Sequence, residues 1–207
     1  MSVSPQPATP AVRQPPAVPS EPIWRLSVEQ YHEMARAGIL TRDDRVELLE
    51  GWLVARMTKH PPHVLATGLI LDALRGILPA GWYVSQEGPV TTPDSEPEPD
   101  VAVVRGTRRD YHDRHPGPQD VALVVEVADA SLPRDRTLKK GLYARAQFPI
   151  YWLVNLPETR IEVYTDPTGP AAQPDYRQRQ DYSPDDAVPV VIDGREVGRL
   201  AVRELLP

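Results

Sequence analysis

Three residues in this sequence have types and spacing that suit metal-dependent chemistry: Asp100, Glu126 and Lys139. Asp100 stands just before a short apolar run, and Glu126 lies inside a second one, residues 121–128. Lys139 follows on a predicted helix over residues 135–147. Carboxylate oxygens are hard ligands for a divalent cation, and an amine can stabilise negative charge that develops on a phosphate. The three residues therefore predict a metal and phosphate site.

Glu126 is the least ordinary of the three, because the run around it is apolar on both alternating faces. One face holds Val121, Leu123, Val125 and Val127, and the other holds Ala122, Val124 and Ala128. This pattern predicts a buried central strand. An ionised carboxylate there costs several kcal/mol unless a cation pairs with it or its pKa rises. A second interpretation stays open, in which Glu126 pairs with a buried lysine and Pro99-Asp100 is ordinary turn chemistry.

Helical spacing separates Lys139 from the lysine that follows it. Residues at i, i+3, i+4 and i+7 form one stripe, here Lys139, Leu142, Tyr143 and Ala146. The next face holds Lys140, Arg136 and Ala144 and is predicted to contact solvent. We therefore expect Lys139 to point toward the two acids.

Composition limits the class of protein. The chain has 207 residues and 41% hydrophobic content, which predicts one domain over residues 23–207. Residues 1–22 hold seven prolines and are predicted to be a disordered tail. The absence of cysteine excludes disulfides, thiolate zinc sites and a cysteine nucleophile. With no apolar stretch of roughly 20 residues and no signal-type segment, we expect no membrane partner and a cytoplasmic location.

The net charge of -6 argues against a broad basic surface for nucleic acid. This net charge is compatible with a local basic patch beside the two predicted strands that carry Asp100 and Glu126. The cations that could form it are Arg105, Arg108, Arg109, Arg114, Arg134, Arg136, Lys139, Lys140 and Arg145. The alternative is that these are scattered, solvated charges.

The other elements are predicted from caps, turns and periodicity. Helices are expected over 27–38, 41–50 and 64–78. Strands are expected over 52–57, 82–86, 101–104, 151–155, 160–165, 176–181 and 188–192, the last two as edge strands before a short terminal segment. Polar loops are expected over 105–120 and 166–175.

Two His-x-x-His pairs, His60 to His63 and His112 to His115, raise a zinc hypothesis. Pro61 and Pro62 argue against a helix at the first pair, and histidines in loops are usually solvated. We therefore rank this hypothesis below the acidic site.

Several segments together resemble the Uma family, bacterial restriction-endonuclease-like proteins of the PD-(D/E)XK superfamily. They are Arg45-Val-Glu-Leu-Leu-Glu-Gly51, Pro99-Asp-Val-Ala-Val-Val104, Val124-Val-Glu-Val-Ala-Asp-Ala-Ser-Leu132, Asp135-Arg136, Lys139, Tyr143-Ala144 and Pro149-Ile-Tyr-Trp-Leu-Val-Asn155. The resemblance runs from about Trp24 to the C-terminus. The compact pattern of metal nucleases would place a lysine two residues after Glu126, where this chain has Ala128.

The resemblance implies an α/β fold with a restriction-endonuclease-like core, a mixed central β-sheet flanked by helices, and an added C-terminal β-hairpin region. It implies that Asp100 and Glu126 are metal-binding acids and that Lys139 is the catalytic lysine moved onto the helix. It also implies that Glu47 is a further acid, contributed by the early helix. Glu47 is identified by the resemblance alone.

The expected function is hydrolysis of phosphodiester bonds by an endonuclease that requires Mg²⁺ or Mn²⁺, with DNA as the expected nucleic acid. The alternative is a catalytically idle nuclease-fold domain that binds nucleic acid or protein, because a fold does not establish activity. Nucleases of this type often cut two strands as dimers, which is compatible with a homodimer. The sequence itself carries no dimerisation signature.

Overall fold

A computed structural model describes residues 22–207, and its central element is a six-stranded mixed sheet. The strands are β1 Val46–Leu49, β2 Trp52–Ala55, β3 Trp82–Gln86, β4 Val101–Arg105, β5 Val121–Ala128, β6 Ile150–Asn155, β7 Arg160–Pro167, β8 Tyr176–Tyr182, β9 Ala187–Ile192 and β10 Arg195–Ala201. The central sheet has the order β3-β4-β5-β6-β7-β8, and only β5 and β6 are parallel neighbours. Strands β1 and β2 form one antiparallel pair outside it, and β9 and β10 form another.

The helices are few. They are α1 Val28–Arg36, α2 Pro61–Ile77, α3 Leu132–Arg134 and α4 Lys140–Arg145, and a π-helical turn, Asp135–Lys139, joins α3 to α4 without a break. Short 3₁₀ turns lie at Arg42–Asp44, Arg108–Tyr111, Pro118–Asp120 and Val202–Glu204. No helix in residues 22–207 combines the length and apolar character needed to cross a membrane. The predicted tail over 1–22 lies outside the described residues, apart from Pro22.

Most predicted elements are confirmed. Ser27 and Gln30 form the capping box that begins α1, and β3, β4 and the β6–β7 hairpin occupy the predicted segments. Every residue of β5 is buried, and the strand lies between β4 and β6. The mixed sheet and the β9–β10 hairpin confirm the predicted fold class.

The central sheet separates two apolar cores. One face packs against α2 and the β9–β10 hairpin, and it receives Val125 and Val127 from β5. The other face packs against α4 and receives Val124 and Ala128. Because side chains alternate along a strand, Glu126 lies on the α4 side, between Val124 and Ala128.

The predicted division of β5 into two faces is wrong at its start. The β4–β5 register shifts between Val103 and Val104. As a result Val121 lies in the same core as Val124, and Ala122 lies with Leu123 in the other. A bulge of this kind inserts a residue and exchanges the faces before it, which strict alternation cannot anticipate.

The helix predicted over 41–50 is also wrong. Only Arg42–Asp44 form a 3₁₀ turn, after which β1 pairs with β2. Glu50 and Gly51, with φ of 50° and 80°, form the tight connection between these strands. Two successive positive φ values match the twist of a two-residue hairpin, so Gly51 closes a hairpin and does not end a helix.

Two further predictions change at element ends. Helix α2 begins at Pro61 rather than Val64, since a proline at the first helical position loses no intrahelical hydrogen bond. His63 therefore lies in the first turn of a helix and is buried. At the C-terminus β9 pairs with β10 instead of extending the central sheet, and the predicted terminal segment is largely this strand.

We expect Gly51→Ala to destabilise the protein more than Gly194→Ala. Both glycines are the second residue of a two-residue turn with positive φ, so both substitutions incur roughly 1–2 kcal/mol of backbone strain. A Cβ at Gly51 would also lie 2.6 Å from Cβ of Arg25, whereas one at Gly194 would meet no atom within 4 Å. Thermal melting of the two variants measures the difference. Equal losses would contradict the close packing of residues 25–26 on the β1–β2 turn.

Candidate active site

The antiparallel register of β4 and β5 brings the first two predicted acids together. Val101 lies opposite Val125, so Asp100 and Glu126 are neighbours one residue further along. The backbone N–H of Val127 donates a hydrogen bond of 2.8 Å to Oδ2 of Asp100. Both acids are only 4% exposed. The sheet therefore presents two buried carboxylates at one end of these strands.

Glu126 receives two hydrogen bonds from the helical stretch that follows β5. Lys139 Nζ donates to Oε1 at 2.9 Å, and the hydroxyl of Tyr143 donates to the same oxygen at 2.6 Å. The two donors are four residues apart, which places them on one helix face as predicted. Burial raises the pKa of Glu126 to about 8, with Lys139 opposing the shift and three nearby carboxylates adding to it. The pKa of Glu126 therefore lies well above that of an exposed glutamate.

Lys139 lies between two acids. Its ammonium is 2.9 Å from Glu126 Oε1 and 3.2 Å from Glu47 Oε2, and the residue is 3% exposed. Burial alone would lower the pKa of Lys139, but the surrounding carboxylates outweigh burial and raise the pKa above its usual value. Lys139 is therefore a permanent cation near neutral pH.

Asp100 has different partners. Lys59 Nζ lies 2.6 Å from Oδ1, and His63 Nε2 lies 3.1 Å from Oδ2. Burial opposes ionisation of Asp100, but its contacts with His63 and Lys59 outweigh that effect and lower the pKa to about 2. Lys59 also contacts Glu87 at 3.0 Å. Asp100 is thus ionised and held in place by two basic side chains.

Glu47 reaches the site from a strand, not from the predicted early helix. It lies on β1, is 1% exposed, and accepts a hydrogen bond of 3.2 Å from the backbone N–H of Glu98. The β1–β2 hairpin thus positions Glu47 beside Lys139. Strand β1, and not a helix, therefore carries Glu47, which still lies next to the other predicted residues.

All four predicted residues line one small cavity of about 50 Å³. Its carboxylates are Glu47, Glu98, Asp100, Glu126, Asp129 and Asp135, and its Lys and Arg residues are Arg56, Lys59, Arg134 and Lys139. A larger groove of about 1440 Å³ lies elsewhere and contains none of the four. The candidate site is therefore identified by the types of side chain that line it and not by the volume of the cavity.

The acids do not form a closed ligand set in this state. Lys139 lies between Glu126 and Glu47, and Lys59 and His63 hold Asp100. Among residues 22–207, the only group of three His, Asp or Glu side chains with one ligand atom each within 4.8 Å of the others lies outside this cavity. Carboxylate oxygens remain the donor type that suits Mg²⁺ or Mn²⁺, so metal binding by these acids stays a prediction.

Sequence reasoning missed two contacts and misplaced one helix face. No sequence pattern predicts a role for Lys59. His63 is singled out only as half of a possible zinc-binding His-x-x-His pair. The face predicted to contact solvent is wrong at Ala144, which is fully buried. Its two basic members contact carboxylates: Lys140 lies 2.8 Å from Asp175, and Arg136 pairs with Glu162.

The pKa of Glu126 predicts a pH dependence of stability. The carboxyl titrates near 4.5 in an unfolded chain and near 8 in the folded one. The folded state therefore binds the extra proton, and the free energy of unfolding should fall as pH rises from about 4.5 to about 8. Glu126→Gln cannot titrate and should lack this component, worth about 2 kcal/mol between pH 6 and 8. Urea unfolding of both proteins in EDTA measures it, and parallel pH profiles would contradict the raised pKa.

Comparisons with known proteins bear on the fold and the family of this chain. A crystal structure of a putative nuclease belonging to DUF820 from Anabaena variabilis ATCC 29413 is similar, with a TM-score of 0.66 and 14% sequence identity. The match covers 87% of this chain and 97% of that one, and at this identity it shows the fold. No curated protein matches the chain. The family model described as Uma2, putative restriction endonuclease, matches residues 28–200, so the chain belongs to the Uma2 family.

Proposed function

We propose that this protein is an endonuclease that hydrolyses phosphodiester bonds in DNA and requires Mg²⁺ or Mn²⁺. Membership of a family of putative restriction endonucleases supports a nuclease function. The observation that carries the finer proposal is the buried ammonium of Lys139, which contacts Glu126 and Glu47 in the cavity that Asp100 also lines. These are the residue types that hydrolysis of a phosphodiester requires.

The donor set fits a hard divalent cation. Asp100 and Glu126 would hold the ion, with Glu47 as an outer acid. Asp100 suits this role because its low pKa keeps it ionised and the Val127 N–H fixes its orientation. Six carboxylates against four Lys and Arg side chains leave the cavity with excess negative charge. When bound, the ion would lower the pKa of a water molecule and neutralise charge on the phosphate.

Lys139 would act by charge and not as a proton acceptor. Its pKa lies above the usual value, so it keeps its proton near neutral pH. An ammonium fixed at this place can stabilise the negative charge that develops on the phosphate oxygens. Its contacts with Glu126 and Glu47 fix its position before substrate arrives.

Of the two lysines that contact the acids, Lys59 would contact the nucleic acid first. Its side chain is 20% exposed, against 3% for Lys139, and it contacts Asp100 and the more exposed Glu87. A phosphate or a metal ion approaching Asp100 must compete with this ammonium. Movement of Lys59 toward a substrate phosphate would free Asp100 for the ion.

The rival function is a catalytically idle domain that binds nucleic acid or protein. One observation favours it: Asp100 and Glu126 are already paired with basic groups of the same chain. Several cations that could contact DNA are paired as well, including Arg114 with Asp120 and Arg145 with Glu50. An idle domain would keep these pairs and show no cleavage with any metal.

Cleavage by matched lysine variants separates the two functions. We expect Lys139→Met to reduce cleavage of plasmid DNA in Mg²⁺ or Mn²⁺ by about 100-fold or more, because a main source of transition-state stabilisation is lost. Lys140→Met removes a neighbouring charge that contacts Asp175 and should retain most activity. Melting curves verify that both variants fold. Equal losses would place the catalytic lysine elsewhere, and no cleavage by wild type with either metal would favour the idle domain.

Two copies of this site would allow both strands of a duplex to be cut in one encounter, so we further propose that the active form is a homodimer. Sedimentation of the protein with and without DNA gives its oligomeric state directly.

A further inference from the structure

A second cluster of metal-ligating side chains lies outside the acidic cavity. It contains His32 from α1, Glu96 from the segment before β4, and His115 from the loop after β4. One ligand atom from each lies within 4.8 Å of the other two, the only such group of three in residues 22–207. The three residues are far apart in sequence, so the fold brings them together.

Glu96 is the centre of this cluster. It is 4% exposed, and its charged contacts within the described residues are both imidazoles. His32 Nε2 lies 2.7 Å from Oε2, and His115 Nε2 lies 3.9 Å from Oε1. A buried carboxylate needs a cationic partner, and an imidazole supplies a charge only when protonated. A metal ion would supply that charge at any pH at which the imidazoles are neutral.

The donor set is that of a zinc site. Two imidazole nitrogens and one glutamate oxygen, with a water in the fourth position, are a known Zn²⁺ arrangement. Zinc-ligand bonds near 2.1 Å in a tetrahedron place ligand atoms about 3.4 Å apart. Oε1 of Glu96 lies 2.9 Å from His32 Nε2 and 3.9 Å from His115 Nε2, and these two separations bracket that value, so small side-chain movements close the set. Both histidines are partly exposed, at 37% and 44%, which leaves a path for the ion.

An outer contact already orients the central ligand. The hydroxyl of Thr91 donates a hydrogen bond of 2.6 Å to Oε2 of Glu96. The backbone N–H of Glu96 donates to the carbonyl of Leu48 at 2.7 Å, which fixes the segment against β1. Partners of this kind hold ligating carboxylates in place in metal sites.

We propose that His32, Glu96 and His115 bind Zn²⁺, and that the ion fastens α1 and the loop after β4 to the segment leading to Asp100. Helix α1 has no buried residue, so packing contributes little to holding it. Glu96 is four residues before Asp100 and pairs with Leu48, the neighbour of Glu47. The zinc ion would therefore stabilise the two segments that carry acids of the catalytic cavity, without being part of it.

Zinc titration of the full chain, prepared without a histidine tag and stripped with EDTA, tests this site. The background variant Asp100→Asn removes a predicted ligand of the acidic cavity, so nuclease activity plays no part in the readout. We expect about one equivalent of Zn²⁺ to bind, and Co²⁺ used as a probe to give the visible absorption of a four-coordinate site. His32→Ala and His115→Ala should each weaken binding by about 100-fold, and Thr91→Val by about tenfold.

His112→Ala is the matched control, because His112 lies on the same loop and its Nδ1 lies 3.2 Å from the carbonyl oxygen of Arg109. It should bind Zn²⁺ as the background protein does. Hydrogen exchange in α1 should slow when Zn²⁺ is added and should not change in His115→Ala. Unchanged zinc affinity in both His32→Ala and His115→Ala, or no stoichiometric binding in the background protein, would overturn the proposal.

Discussion

The contact between the Lys139 ammonium and the Glu126 carboxylate is the interaction on which the rest of the site depends. Both groups are buried, and removing one partner of such a pair typically costs about 3–5 kcal/mol. Glu126 is only 4% exposed on the central strand β5, so the cation that pairs with it comes from a neighbouring element. The helical stretch after β5 supplies Lys139 and Tyr143 on one face, and β1 supplies Glu47 on the other side of the ammonium.

The two neighbouring acids, Asp100 just before β4 and Glu126 on β5, have pKa values that lie far apart. Contacts with His63 and Lys59 lower the pKa of Asp100, whereas burial raises the pKa of Glu126. Environments that move two carboxyl pKa values apart are a recurrent feature of catalytic sites. Binding of a metal ion at Glu126 would favour the ionised carboxylate and lower its pKa.

The sequence predicted those parts of the site that depend on local patterns. Apolar residues on both faces predicted that β5 is central, and helical spacing separated Lys139 from Lys140. Glu47 came only from the family resemblance, and its strand was predicted as a helix. Strong helix formers fill residues 45–50, but pairing with β2 and the hairpin at Glu50-Gly51 decide the local structure.

The contacts that sequence could not predict are those between distant segments. Lys59 reaches Asp100 across 41 residues, and His32 reaches Glu96 across 64. No spacing rule covers such pairs, because they depend on how whole elements pack. The prediction for His63 is wrong for a local reason: Pro61 and Pro62 argue against a helix interior, whereas prolines are well tolerated in a first turn.

Melting curves in EDTA and in Mg²⁺ test most directly whether the paired acids are a metal site. Mg²⁺ prefers oxygen ligands, so it reports on the acidic cavity and not on imidazoles. At a concentration 100 times Kd, binding to the folded state should add about 2.7 kcal/mol of stability and raise the Tm of wild type. Asp100→Asn should abolish that rise, and Asp129→Asn, a change at the edge of the same cavity, should keep it. The same rise in Asp100→Asn as in wild type would contradict the account.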